Sequence, residues 1–299
     1  MERKDHIDAF GAASLIAFAL VLAFNQVVIK VVNEGLQPVF FAGIRSLGGA
    51  VCVYFWMNFR RVPLDFRQDV IPWGIAIGLV FSAEFICLFV ALDLTTVART
   101  SIIFYSMPVW LALLAHFFIP GDRIHPTKAI GLVFAMTGVA WAILDRGPVG
   151  VQQASMLGDL AALGGALGWA SVALLVRVSP LSRVGPEMQN FWQLAVSAPI
   201  LLLAAFLFGP FIRDFQPIHL WGLAFQIVII VTAAFLFWIW LLTIYPASGV
   251  ASFSFLSPVF GILLGWLLLG ENVGARIFGA GALVAIGIVL INRRPKRVP

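Results

Sequence analysis

Long apolar runs follow one another along almost the whole chain, and polar residues are confined to the short stretches between them. A run of about 18 or more mostly apolar residues is long enough to cross the hydrocarbon core of a bilayer as a helix. The pattern therefore predicts an all-α polytopic membrane protein. Ten transmembrane helices are expected, at residues 11–33, 38–58, 70–93, 97–119, 126–144, 157–178, 186–209, 217–244, 248–269 and 274–292.

The composition agrees with this pattern. Apolar residues make up 61% of the chain and charged residues only 11%, whereas soluble domains average about 45–50% and 25%. No stretch between the runs is long enough for a separate soluble domain. The two cysteines, Cys52 and Cys87, both fall inside apolar runs and are interpreted as small packing residues.

The positive charges predict how the chain is oriented. Lys and Arg collect on the cytoplasmic side of membrane proteins. With ten helices and a cytoplasmic N-terminus, the cytoplasmic segments carry 13 of the 19 Lys and Arg residues, and the outer segments carry four. We therefore expect a multi-pass protein of the cell inner (plasma) membrane with both termini in the cytoplasm. The net charge of +5 then reflects orientation, and no nucleic-acid partner is expected.

Similar landmarks recur half a chain apart. Residues 11–31 align with 158–178 at an offset of 147, and later matches keep the offset near 150. The matched landmarks include Pro38 with Pro186, Trp73-Gly74 with Trp221-Gly222, and Pro108-Val109 with Pro258-Val259. We interpret residues 1–147 and 148–299 as two five-helix repeats.

Five is an odd number of helices, so the second repeat enters the membrane from the opposite side. Inverted repeats of this kind are the usual architecture of secondary transporters, which bind substrate near the bilayer midplane at the repeat interface. The prediction is therefore two inverted repeats around a central cavity. Duplication for stability alone is the alternative interpretation.

Two segments carry a resemblance to a known family. Residues 257–271 read SPVFGILLGWLLLGE and precede the Gly-rich stretch 276–292, while residues 107–122 read MPVWLALLAHFFIPGD and precede the stretch 128–144. This Pro-centred helix, acidic turn and Gly-rich helix resemble the end of each half in EamA-type exporters of the drug/metabolite transporter superfamily. The second copy is the better match, since the first has Asp122 in place of Glu271.

A narrower resemblance is to the YddG-type branch of aromatic and neutral amino-acid exporters. It rests on NEGLQPV (33–39), FSAEFICL (81–88), FYSMP (104–108) and LGWAS (167–171). The resemblance implies export of small amphipathic metabolites from the cytoplasm by alternating access, with aromatic and neutral amino acids as the expected substrates.

Glu84 lies near the middle of the third apolar run, with apolar residues on both sides. A carboxylate at that depth costs at least about 2.5 kcal/mol unless it is paired or hydrated, so such acids are functional candidates. Glu84 can bind a substrate ammonium group or carry a proton. The plainer interpretation is a structural hydrogen bond made by a protonated acid.

Trp169 is the next candidate, because Gly164, Gly165 and Gly168 leave space around its ring for an aromatic or cationic group. Packing or lipid contact is the plainer interpretation for this residue and for Trp238. Arg45 is interpreted as reaching the membrane surface or pairing with an acid. The predicted substrate-binding residues are Glu84, Trp169, Trp238, Tyr105, Phe85, Ser82, Phe255, Ser254 and Asn25, and the predicted hinges are Pro108 and Pro258.

Three other functions were weighed against secondary export. A nucleotide-sugar or sugar-phosphate exchanger needs deep cationic partners, and the interior offers only Arg45 besides Lys30 and Arg177 at helix ends. A membrane-embedded enzyme needs clustered His or paired carboxylates, which the sequence does not show. A scramblase or receptor has no positive feature. We expect a transporter without cofactor or metal, in contact with a small-molecule substrate and the lipid bilayer, as a monomer or a homodimer.

Overall fold

The computed structural model describes residues 7–145, 155–245, 250 and 253–292, and these are helical throughout except for turns and one isolated backbone bridge between Leu36 and Ile212. The α-helices are α1 (Ala9–Gly35), α2 (Pro38–Arg60), α3 (Ile71–Leu94), α4 (Val97–Phe104), α5 (Met107–Phe118), α6 (Pro126–Leu144), α7 (Met156–Val178), α8 (Pro186–Ala204), α9 (Pro217–Phe225), α10 (Phe235–Ile244), α11 (Leu256–Leu269) and α12 (Ala275–Asn292).

Nine helical spans within the described ranges are long and apolar enough to cross a membrane. The remaining predicted run, 248–269, is described as the shorter apolar helix Phe253–Leu269. The count of ten helices and the inverted relation of two repeats therefore stay predictions. The predicted joint between residues 147 and 148 lies outside the described residues, as do the two chain ends used in the orientation argument.

The fourth predicted helix is interrupted in its middle. α4 ends at Phe104, and α5 begins at Met107 after the two residues Tyr105 and Ser106. Pro108 follows at once; proline has no N–H to donate and crowds the preceding turn, which favours a break in the helix at this point. The Ser106 hydroxyl donates to the Ile103 carbonyl at 2.5 Å, which satisfies one carbonyl that the break leaves exposed.

The span Pro217–Ile244 also departs from a regular α-helix. Between α9 and α10 the backbone forms a π-helical segment over Gln226–Ala234. The Thr232 hydroxyl donates to the Ile227 carbonyl at 2.9 Å, five residues back. Wide turns of this kind often occur at functional sites, and this one begins at the buried residue Gln226.

The main apolar core lies between α1, α2, α3 and α8. Val32, Phe41 and Phe89 are fully buried in it. Gly74 and Gly78 on α3 face the Trp192 and Val196 side chains of α8 so closely that a Cβ at either position would overlap them. The absence of side chains at Gly74 and Gly78 on α3 therefore lets larger residues of α8 pack closely against this helix.

Polar contacts are concentrated where α1 turns into α2, which we call the predicted outer end. Here Glu271 accepts hydrogen bonds from the backbone N–H groups of Val97 and Ala98 at 2.6 and 2.9 Å. A carboxylate from far along the chain thus caps the start of α4. Such contacts suit the positive end of the helix dipole.

Two ion pairs join distant segments at the same end. Arg99 pairs with Asp159 at 2.7 Å, and both side chains are almost completely buried. Arg99 also donates to the backbone carbonyls of Asp145 and Ala142, at the end of α6. Arg213 pairs with Asp93 at 2.7 Å. These contacts hold the segment 93–99 against residues that lie more than 40 positions later.

Helices α6 and α12 pack with their backbones in close contact. A Cβ placed on Gly287 would lie 2.6 Å from the Gly131 carbonyl oxygen, and one placed on Gly138 would lie 2.6 Å from the Ala280 carbonyl oxygen. The Gly-rich stretches of α6 and α12 therefore meet each other within the chain, where their small residues permit close helix contact.

Gly287→Ala is expected to destabilise the protein by about 1–3 kcal/mol, because the added methyl group must push the two backbones apart. Gly274→Ala is the matched control, since nothing lies within 4 Å of a Cβ at that position. Thermal unfolding in detergent measures both. Equal melting temperatures for the two variants would contradict this account of the α6–α12 contact.

Glu271→Gln is expected to lower stability by about 1.5–3 kcal/mol, because an amide can offer only one oxygen where the carboxylate accepts two N–H groups. Glu34→Gln serves as the control, since Glu34 is exposed at the same end. The measurement is again the melting temperature of the purified protein. If both substitutions have the same small effect, Glu271 does not act as a cap.

Candidate substrate site

Several buried polar residues lie deep inside the helices. We use the name mid-depth layer for five of them: Asn25, Arg45, Glu84, Tyr105 and Gln226. At a rise of about 1.5 Å per residue, Arg45 lies about 10 Å from the start of α2 and Glu84 about 15 Å from the end of α3. None of the five is more than 9% exposed. Polar groups at this depth must find partners inside the protein.

A chain of hydrogen bonds links three spans across this layer. Arg45 Nε on α2 donates to Gln226 Oε1 at 2.9 Å. Gln226 Nε2 in turn donates to Asn25 Oδ1 on α1. Asn25, one of the predicted substrate-binding residues, therefore joins helices within this layer, and its contact with substrate stays a prediction. Gln226 was missed by the sequence analysis, because its partner Arg45 is 181 positions away.

Arg45 is deeper than the sequence interpretation allowed. Its guanidinium carbon lies 4.4 Å from the centre of the Phe85 ring, a typical cation–π distance. Phe85 was a predicted site residue, and the structure gives it this role beside the charge. One guanidinium nitrogen, Nη1, is buried without a hydrogen-bond partner, and so is Oε2 of Glu84.

Trp169 lies in an aromatic cluster beside Glu84. Its ring stacks on Phe104 with centroids 5.1 Å apart and meets Tyr105 edge-on at 6.2 Å. A Cβ on Gly168 would lie 2.8 Å from Glu84 Cβ, so the absence of a side chain there lets α7 approach α3. The structure thus brings Glu84, Tyr105 and Trp169 together. The Tyr105 hydroxyl donates to the Leu22 carbonyl at 2.7 Å.

Other predicted residues lie elsewhere. Trp238 stacks on Phe18 at 4.9 Å, in a separate apolar group that includes Leu15. The Ser82 hydroxyl donates to the Gly78 carbonyl of its own helix at 2.7 Å. A hydroxyl used in this way has an ordinary structural role.

The two predicted hinge prolines differ in their surroundings. Pro108 is half-buried and follows the break between α4 and α5, whereas Pro258 is buried in the first turn of α11. Ser254 and Phe255, both half-buried, lie in a short 3-10 turn before α11. Phe255 packs against an apolar group containing Ile102 and Ile103, away from the Trp169 cluster. Hinge motion at either proline remains a prediction.

A groove of about 570 Å³ lies between α2 and α8, and its lining is almost entirely apolar. It is lined by Leu47, Ala50, Val51, Tyr54, Phe55, Phe191, Ala195, Ala198, Pro199 and Leu202. None of these was a predicted site residue, so the groove is not the predicted central cavity. Among the described residues, no group of three or more His, Cys, Asp and Glu side chains is placed to hold a metal ion.

Several known proteins are similar over most of the chain. The uncharacterized transporter YoaV of Bacillus subtilis strain 168 is 23% identical over 92% of this chain and 94% of its own length. A probable amino-acid metabolite efflux pump of Escherichia coli strain K12 is 25% identical, covering 97% and 95%. The aromatic amino acid exporter YddG of Ancylobacter novellus is 28% identical, covering 67% and 69%.

A crystal structure of a protein shares the fold, with a TM-score of 0.64 and 23% identity over 93% of this chain and 96% of that chain. The EamA-like transporter family matches twice, at residues 9–144 and 156–293. The family and these relatives are transporters and efflux pumps, not enzymes. Since the two matches cover nearly the whole chain, this protein belongs to the EamA-like transporter family of the drug/metabolite transporter superfamily.

Proposed function

We propose that this transporter is a secondary exporter of aromatic and neutral amino acids, which moves them out of the cytoplasm across the cell's inner membrane. Two relatives, a probable amino-acid metabolite efflux pump and an aromatic amino acid exporter, support this substrate class by their names. Both termini are proposed to be cytoplasmic, on the charge distribution described above.

The observation that carries the proposal is the position of a buried carboxylate and a buried guanidinium beside a cluster of aromatic rings. Glu84 is 4% exposed and Arg45 is 5% exposed. Ring faces of Trp169 and its neighbours suit an apolar or aromatic side chain. A phosphate-bearing substrate is disfavoured, because Glu84 would repel it within the same layer.

Alternating access supplies the mechanism. We propose that the two family matches are the two inverted five-helix repeats, so that the mid-depth layer lies between them. The buried pair of Arg99 with Asp159 and the cap from Glu271 join the two matches at the predicted outer end. In this proposal the structure represents the state closed to the outside, and export requires these contacts to separate.

Transport is tested by reconstituting the protein in liposomes and measuring uptake of labelled L-phenylalanine and L-tryptophan. Uptake above that of empty liposomes is expected, and it should saturate. The assay is run with and without a pH gradient. No uptake under either condition would reject the proposed function, and equal uptake in both would remove a proton-carrying role for Glu84.

Trp169→Ala is expected to reduce uptake of labelled L-phenylalanine by about tenfold, because an aromatic pair contributes up to about 1.5 kcal/mol beyond its buried area. Trp266→Ala is the matched control, since Trp266 is 55% exposed on α11. Both variants must show wild-type expression and melting temperature. Unchanged uptake by the Trp169 variant would return this residue to a packing role.

A further inference from the structure

Arg45 and Glu84 are buried charges whose hydrogen-bonding capacity is not fully used inside the chain. Arg45 uses Nε to reach Gln226, while its Nη1 has no partner. Glu84 Oε2 is likewise buried without a partner. A buried charged group left unsatisfied costs free energy comparable to or greater than a lost hydrogen bond. Such atoms are candidates for ligand contacts.

The two groups do not form a direct ion pair. They lie on the neighbouring helices α2 and α3, and no nitrogen of Arg45 lies within 4.0 Å of a carboxylate oxygen of Glu84. Nη1 of Arg45 and Oε2 of Glu84 therefore both stay unmatched.

The surroundings suit one class of ligand. A guanidinium matches the planar geometry of a carboxylate, and a carboxylate matches an ammonium group. A Cβ added to Gly165 would contact the Phe104 ring and would lie 3.6 Å from the Glu84 backbone carbonyl oxygen. Phe104 and the backbone of Glu84 therefore pack against the same point of α7.

We propose that Arg45 and Glu84 together bind the zwitterionic head group of an α-amino acid, Arg45 taking its carboxylate and Glu84 its ammonium group. The side chain of the substrate then lies against the rings of Phe104, Tyr105 and Trp169. This assignment rests on the proposed function and names the groups that select its substrate class. It makes Arg45 a binding residue, and it makes a ligand with only one of the two charges a poor fit.

Selectivity against single-charge analogues follows from the same physics. 2-Phenylethylamine lacks the carboxylate and leaves Arg45 unmatched, while 3-phenylpropionate lacks the ammonium group and leaves Glu84 unmatched. Sites that hydrogen-bond a substrate group reject analogues without it strongly, because the buried partner is left unpaired. We expect each analogue to bind the wild-type protein at least about 100-fold more weakly than L-phenylalanine.

The test measures dissociation constants from the increase in melting temperature that each ligand causes in purified protein, which needs no transport. Three ligands are compared: L-phenylalanine, 2-phenylethylamine and 3-phenylpropionate. Arg45→Gln should weaken L-phenylalanine binding at least about 50-fold and remove the disadvantage of the amine. Glu84→Gln should likewise weaken L-phenylalanine binding, and it should remove the disadvantage of 3-phenylpropionate. A loss of stability alone cannot change the relative affinities of a variant for these three ligands.

Two further variants keep the test decisive. Arg45→Lys retains the charge but loses the paired geometry, and it should bind L-phenylalanine about tenfold more weakly than the wild type. This variant takes the place of Arg45→Gln in the test if Arg45→Gln does not fold. Arg60→Gln is the control, because Arg60 is exposed at the end of α2. Its preferences should equal those of the wild type.

The outcomes separate the two proposals. If L-phenylalanine does not stabilise the wild-type protein and is not transported by it, the proposed function fails. If the wild type binds and transports it, but the analogues bind equally well or the variants keep wild-type preferences, only the zwitterion site is overturned. The zwitterion site is also overturned if the variants bind L-phenylalanine more weakly but keep the wild-type order of preference among the three ligands.

Discussion

A lipid bilayer offers no water to the polar groups of a spanning helix, so each of those groups must find a partner inside the protein or remain costly. Several of the described polar side chains at depth meet this constraint through contacts between helices. Arg45, Gln226 and Asn25 form one chain of hydrogen bonds, and Ser101 donates to Gln26 at 2.6 Å. The same constraint draws attention to the few atoms that remain unmatched.

The distribution of these contacts along the bundle gives the structure a direction. At the predicted outer end, the pair of Arg99 with Asp159 is buried and also engages two backbone carbonyls. Removing one partner of such a pair would leave a buried charge, which typically costs about 3–5 kcal/mol. Separating the helices at that end would therefore require the whole network to break.

Much of the fold was predictable because long apolar runs indicate membrane helices. The spans α1, α2, α3 and α6 begin and end within a few residues of the predicted runs. The break at Tyr105 and the π-helical segment were not predicted. Pro108 indicated a bend but not where the helix stops. Wide turns arise from packing against neighbouring spans, which a single sequence does not specify.

The candidate site was predictable in part for a similar reason. Glu84 stands out as an isolated acid in an apolar run. Gly164, Gly165 and Gly168 were predicted to leave space around the Trp169 ring for an aromatic or cationic group, whereas the structure packs Cys87, Phe104 and Glu84 against these glycines. Arg45 was interpreted either as reaching the membrane surface or as pairing with an acid, because its distance from Pro38 alone does not distinguish surface from interior. Gln226 and Phe85, which hold it in place, come from other helices.

The most direct measurement is a structure of the protein with bound 4-bromo-L-phenylalanine, in which anomalous scattering locates the bromine. The account predicts the bromine beside the rings of Trp169 and Tyr105, with the carboxylate on Arg45 and the ammonium group on Glu84. A bromine signal in the groove between α2 and α8, or a head group that contacts neither Arg45 nor Glu84, would contradict it.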